Sequence, residues 1–268
     1  MSSPGAAIIT GGSSGIGLEL ARGLAAKGHG LALIARDAGR LQDAVRLLKA
    51  DFPDILITAY PADVADQARV DIAVQAAIRD HGPPKWAIAN AGVAEPGLFV
   101  DQSLETFQHH MNVNYMGALY FAKSVVEQMK ISGGHLVFVS SGAAFFGIYG
   151  YSAYAPPKFA MRGLAEVLRV ELGPHHISVT LAYPPDTDTP MLAQENKTKP
   201  NATKAITAGG GEWTATDVAN LILRRARRGK FTVAPGLQMR LLLNLHSVIA
   251  PVLRHWQNGV IKKHTDKA

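Results

Sequence analysis

A chain of 268 residues, 47% of them hydrophobic and none of them cysteine, suits one α/β domain with an ample core and excludes disulfides and thiolate chemistry. Its net charge of +6 is unevenly placed: from Asn220 onward ten Lys and Arg face one acid, Asp266, which leaves residues 1–219 at −3. The basic run RRARRGK comes with no recognition motif, so no nucleic-acid partner is expected. The start, MSSPGAAIIT, lacks a charged region followed by a long apolar run, so neither a signal peptide nor an N-terminal anchor is expected, and a cytoplasmic setting is.

Short apolar runs alternate with amphipathic stretches. AAIIT predicts a strand, followed by a helix to about Lys27; LALIA predicts a second, followed by a helix over LQDAVRLLKA. DILITAY, a helix to about Asp80 and KWAIAN come next. A long helix over 102–131 leads to HLVFVS, then to a helix opening near Tyr154, then to ISVTLA. A polar segment at 184–214, a helix at 215–228 and KFTVA complete the series. Seven strands with helical crossovers predict a Rossmann-type, doubly wound parallel sheet, which binds ligands at the carboxyl ends of its strands. Residues 1–236 are read as the catalytic domain, with a substrate loop at about 184–214, and 237–268 as a helical appendage.

The first strand runs into TGGSSGIG, with Gly11, Gly15 and Gly17 spaced TGxxxGxG. Glycines let the backbone approach a pyrophosphate, and the N-terminus of the following helix adds N–H groups and positive dipole. A turn between a strand and a helix at the start of a βαβ unit is the context that a dinucleotide site requires. At the end of the second strand, where a carboxylate would bind the ribose 2′-hydroxyl, stands Ala35, followed by Arg36 and, one turn on, Arg40. Guanidinium groups suit a 2′-phosphate, so NADPH is expected, with Ser13 assisting.

Residues 149–159 read YGYSAYAPPKF. Of the three tyrosines only Tyr154 stands four residues before Lys158, the spacing that sets two side chains on one helix face. An ammonium beside a phenol favours the phenolate, so Tyr154 is expected to have a lowered pKa and to act as a general acid near neutral pH. Pro156 and Pro157 fit the first turn, whose N–H groups have no intrahelical acceptor, so the helix is expected to begin at about Ser152 to Tyr154.

Together, TGxxxGxG, Asn90-Ala91-Gly92, Asn114, Ser141 and Tyr154-xxx-Lys158 resemble the short-chain dehydrogenase/reductase family, over residues 5–235. The resemblance implies that Tyr154 protonates a substrate carbonyl oxygen as hydride arrives from the nicotinamide, while Ser141 hydrogen-bonds the same oxygen. Lys158 would lower the pKa of Tyr154 and bind the nicotinamide ribose, and Asn114 would hold a water linking Lys158 to solvent. Asp63, with Val64 beside it, would accept from the adenine amine. Ser14 and Ile16 in the glycine turn, and Pro184, Thr187 and Thr189 after the sixth strand, complete the cofactor contacts. No metal is expected.

One departure stands out. The family usually has Pro-Gly after the sixth strand, whereas this chain reads YPPDTDTPM, with Pro185 in the glycine position. Proline forbids positive φ, so the backbone over the nicotinamide is expected to differ locally. The strings YPPDTDTP, QENKTKP and SAYAPPKFAMRGLAE resemble a subgroup that reduces the keto group of a long-chain sphingoid base with NADPH. That implies a long-chain lipid ketone as substrate; a steroid or another lipid ketone is the rival reading, and a cofactor-binding scaffold without turnover the remote one.

In the appendage, Leu241, Leu245, Val248, Val252 and Trp256 recur at helical spacing. Arg240, Asn244, His246 and Pro251 interrupt the run, which is expected to fall short of the roughly 20 apolar residues of a membrane span. Two placements stay open for 237–264: peripheral contact on the inner face of a membrane, or packing on its own domain or a sister subunit of a homo-oligomer.

Overall fold

The computed structural model describes residues 4–211 and 213–265, so the ends of the two expected segments, 1–3 and 266–268, lie outside the described residues. The apolar runs become β1 (Ala6–Thr10), β2 (Gly30–Ala35), β3 (Ile57–Pro61), β4 (Pro84–Ala89), β5 (Gly134–Val139) and β6 (Ile177–Ala182). Between them lie α1 (Gly15–Ala25), α2 (Ala38–Asp51), α3 (Gln67–His81), α4 (Leu104–Met111), α5 (Gly117–Ser132) and α6 (Ala155–Leu172). The segment 184–214 is more structured than expected. It contains β7 (Thr187–Asp188), α7 (Pro190–Glu195), α8 (Asn201–Thr207) and β8 (Trp213–Thr214), with β7 and β8 paired in parallel. After α9 (Ala215–Ala226) and β9 (Thr232–Val233) the chain ends in α10 (Gly236–Thr265).

Seven strands form one parallel sheet in the order β3-β2-β1-β4-β5-β6-β9. Because side chains alternate across a strand, the buried run of β1 feeds two cores at once. Ile8 packs with Val74 of α3, Phe121 of α5 and Met161 of α6, whereas Ile9 packs with Leu20 of α1, Leu41 of α2 and Ile222 of α9. The strand order reverses between β1 and β4, which opens a crevice at their carboxyl ends.

The helix expected over 102–131 is not uniform. Ser103 caps α4, and between α4 and α5 the chain widens into a π-helical turn over Asn112–Met116, closed by a Gly117 N–H to Asn112 carbonyl bond. Such turns insert one residue into a helix and often sit at functional sites. Asn114 lies inside it.

The expected C-terminal helical appendage is α10, and it packs on the body of the domain. Met239, Leu242 and Gln257 are buried, and the Gln257 amide donates to the Gly147 carbonyl at 3.0 Å. A second stripe, Leu237, Leu241, Leu245, Val248 and Val252, points outward and is exposed. By length and composition α10 meets the test for a membrane span, with a window of mean hydropathy 1.2, which the interrupting polar residues were expected to prevent. The flanking leucines and valines outweigh those residues. Anchored at Met239 and again at Gln257, however, the helix lies along the body over that stretch of about 27 Å.

Candidate active site

The glycine turn is built by close approach. Gly11 has φ +67°, and a Cβ on Gly17 would stand 2.1 Å from the Gly11 carbonyl oxygen. Only glycine lets α1 press so closely against the turn. Asn90, at the end of β4, ties the turn down: its Nδ2 donates to the Thr10 and Gly11 carbonyls at 3.2 Å, while Thr10 Oγ1 accepts from the Asn90 and Ala91 N–H groups. Ser14, the N-cap of α1, makes no side-chain capping bond, unlike Asp37, Asp66 and Ser103 on the next three helices. The first N–H groups of α1 are therefore left uncapped by a side chain, as a pyrophosphate site needs.

From this turn a cavity of about 390 Å³ runs across the crevice. Ser13, Ser14, Gly15 and Ile16 line it beside Gly11; Arg36 and Arg40 close one end, next to Asp63 and Val64. Asn90, Ala91 and Gly92 form its floor, with Ser141, Tyr154 and Lys158 beyond, and Pro184, Thr187 and Thr189 on the far wall. Of the catalytic and cofactor-binding residues expected from sequence, Gly17 and Asn114 alone are not in the lining. The residues present fit a dinucleotide: uncapped helix N–H groups for its pyrophosphate, and two guanidinium groups where a 2′-phosphate would sit.

Arg36 and Arg40 are exposed; Arg36 Nη1 lies 4.0 Å from Asp63 Oδ2, and Arg40 pairs with Asp37 at 3.5 Å. Asp63 Oδ1 accepts from the Ala65 N–H at 3.0 Å, so one of its oxygens holds the local turn. Asn114 is fully buried and clamps the floor: Oδ1 accepts from the Val93 N–H at 2.8 Å and Nδ2 donates to the Val93 carbonyl at 2.9 Å. The Pro185 carbonyl accepts from Thr187 Oγ1, and its ring packs where Gly210 leaves room.

Tyr154 caps α6, with Pro156 and Pro157 in the first turn as expected. Lys158 is buried, its Nζ 5.5 Å from the Tyr154 ring centroid and 3.4 Å from the Val139 carbonyl oxygen. The expected lowering of the Tyr154 pKa is absent. Burial pushes the phenol above its ordinary range, and the Glu195 charge adds to this, while the Ser141 hydroxyl works in the opposite direction. Local spacing identified the neighbour, but desolvation decides the sign.

Burial also pushes Lys158 down to about 8. Since the unfolded value is higher, the cost of burying the ammonium is fully present below about 8. It is relieved between there and 10.5, where the folded chain has released a proton that the unfolded chain still holds. Cofactor-free Lys158→Met is therefore expected to melt above the parent at pH 7, by up to about 3 kcal/mol. The gap should close as pH rises from 8 toward 10.5, measured by thermal denaturation across pH. A gap that does not vary with pH would show that the lysine is not buried as a cation.

Two groups escaped the sequence reading. His110 is buried at the edge of the Tyr154 ring, its Nδ1 donating to the Thr106 carbonyl and its Nε2 accepting from the Glu95 N–H, with burial favouring the neutral imidazole. Tyr151 gives its hydroxyl to Glu195 across 44 residues of chain. The available signal for the second was Glu195 and Lys199 at i,i+4 inside the segment read as polar loop.

A nucleotide cradle at the reversal of a doubly wound sheet, opening onto a buried Tyr and Lys beside a Ser, defines a dinucleotide-dependent oxidoreductase. The chain belongs to the short-chain dehydrogenase family, whose model matches residues 5–200. A Danio rerio protein named 3-dehydrosphinganine reductase is 39% identical over 91% of this chain and 75% of its own length. A Bos taurus 3-ketodihydrosphingosine reductase is 38% identical over 93% of this chain and 76% of its own length. Among solved structures, a Sphingobium yanoikuyae short-chain dehydrogenase in complex with NADPH superposes with a TM-score of 0.78 at 26% identity, covering 94% of this chain and 95% of that one.

Proposed function

We propose that this protein reduces the 3-keto group of 3-ketodihydrosphingosine to dihydrosphingosine with NADPH. The observation that carries the substrate class is the continuity of the cavity. From Tyr154 and Ser141 it runs on past Ile148 and Ile206 to an apolar wall supplied by Met239, Leu242, Leu253 and Trp256 of α10. A carbonyl held at Tyr154 thus has an apolar channel for an alkyl chain, and the curated relatives carry names of this activity.

When bound, the cofactor supplies the hydride that reaches the carbonyl carbon. Tyr154 Oη gives its proton to the carbonyl oxygen, so that ketone, NADPH and a proton yield alcohol and NADP+. Ser141 donates to the same oxygen, and Lys158 binds the ribose and stabilises the phenolate left behind, with water at Asn114 returning the proton from solvent. Asp63 and Val64 would hold the adenine, and Pro184, Thr187 and Thr189 the nicotinamide side. The deciding assay follows NADPH oxidation with 3-ketodihydrosphingosine beside a steroid ketone and a short ketone. Faster turnover of either comparison ketone would overturn the substrate.

The outward stripe of α10 supports peripheral membrane contact. Leu241, Leu245, Val248 and Val252 are exposed on one face, Arg240, Arg254, Lys262 and Lys263 are also exposed, and the opposite face walls the cavity. A helix lying in the interface would set the channel mouth at the depth of a lipid's alkyl chain. The protein is expected to co-sediment with anionic vesicles and to be released by salt, and Val248→Glu/Val252→Glu to stay in the supernatant. An intact protein that ignores such vesicles at low salt and runs as a dimer would assign the stripe to a sister subunit instead.

A further inference from the structure

Behind Tyr154 the cavity wall carries a buried charge cluster that the reduction itself does not use. Lys199, whose side chain is 0% exposed, bridges Glu195 Oε1 at 3.0 Å and Asp186 Oδ2 at 2.7 Å. Asp186 Oδ2 also accepts from Thr207 Oγ1 at 2.7 Å, and Glu195 Oε1 accepts from the Tyr151 hydroxyl. Both carboxylates line the cavity, whereas Lys199 stands behind them. The wall therefore presents two negative charges to the cavity over one buried positive charge. Lys158, buried as well, is held at Val139 on the cofactor side.

Glu195 is incompletely partnered. Both of its donors converge on Oε1, and among the described residues none donates to Oε2, although the residue is only 6% exposed. Glu195 lines the cavity, so this second oxygen is open to a donor brought by a ligand. The position is informative. The rings of Tyr151 and Tyr154 lie edge to face with centroids 5.2 Å apart, and Glu195, bonded to the Tyr151 hydroxyl, lines the same cavity as the proton donor.

A ketone bearing an amine on the adjacent carbon has its ammonium two bonds from the carbonyl carbon. With the carbonyl oxygen at Tyr154, that ammonium enters the cavity that Glu195 lines. We propose that Glu195 Oε2 accepts the substrate's α-ammonium, with the Asp186 charge adding attraction. Tyr151 and Lys199 are positioning residues that fix the carboxylate. This rests on the aminoketone reading above and deepens it: Glu195 makes the enzyme select 2-amino ketones over plain long-chain ketones. A hydrogen-bonding site rejects an analogue lacking its partner far more strongly than an apolar pocket rejects a missing methylene.

The test compares kcat/KM for 3-ketodihydrosphingosine with that for 1-hydroxyoctadecan-3-one, which keeps the chain and the terminal hydroxyl and lacks only the amine, in the parent protein and in Glu195→Gln. The parent is expected to favour the aminoketone at least tenfold. In Glu195→Gln the ratio should fall by about 10–100-fold, mainly through KM for the aminoketone, as expected for loss of a charge-assisted hydrogen bond. A cluster that merely closes the loop would lower both substrates together and leave the ratio unchanged, which would overturn the proposal. Should the variant fail to fold, the parent decides alone, since equal values for the two ketones refute an ammonium site. A parent that turns over 1-hydroxyoctadecan-3-one but not the aminoketone would refute the proposed function as well, an outcome distinct from equal turnover.

Discussion

Tyr154→Phe is expected to stop carbonyl reduction while leaving dinucleotide affinity close to that of the parent. The phenyl ring keeps the packing with Tyr151, Ala143 and Ala94 and removes one hydroxyl. What is lost is the transferable proton, a contribution of about 10²–10⁴-fold in kcat/KM. Since the hydroxyl is needed only as the carbonyl becomes an alcohol, the loss should fall on kcat rather than on cofactor binding. Tyr149, whose main-chain carbonyl accepts from Thr203 and which does not line the cavity, serves as the control, and Tyr149→Phe should turn over normally. Steady-state kinetics and fluorescence titration of NADPH separate the two effects. More than a tenth of parental turnover in Tyr154→Phe would move the proton donor elsewhere.

Arg36→Ala should weaken NADPH far more than NADH. A charge-assisted contact to a phosphate is worth about 1.5–3 kcal/mol, or roughly 10–150-fold in Kd. Arg36 is 68% exposed in its side chain, so water screens it and the lower end of that range applies. Removing the guanidinium also unmasks Asp63, 4.0 Å away, whose charge repels a 2′-phosphate but not a hydroxyl. Both effects push selectivity toward NADH. Equal losses for the two cofactors in isothermal titration would remove Arg36 from the 2′-phosphate site.

What could be read from sequence was local. The glycine turn, the Tyr154–Lys158 spacing and the two prolines in the first turn of α6 all lie within a few residues of what they determine, and each is where it was expected. The misses are tertiary. Spacing points to a lowered Tyr154 pKa because Lys158 stands four residues away, whereas the burial that raises it comes from distant elements. The Tyr151–Glu195 bond spans 44 residues, and the segment holding Glu195 reads as polar because its charged groups face one another rather than solvent. α10 was read with one apolar face because periodicity reports a stripe without saying how much of the rest is also covered.

The π-helical turn over Asn112–Met116 has a consequence for how this chain can vary in length. One extra residue there gives α4 and α5 different angular phases about a common axis, offset by about 100° from a continuous α-helix. α5 needs its phase to place Phe121, Val125 and Met129 in the core, and α4 needs its own to turn His110 toward Glu95 and Tyr154. A single-residue deletion anywhere in 112–116 would merge the two phases, although the sequence on either side would be untouched. Helix content would survive, yet His110 and the Asn114 clamp could not both keep their partners. Along this stretch the residue count is itself part of the active site.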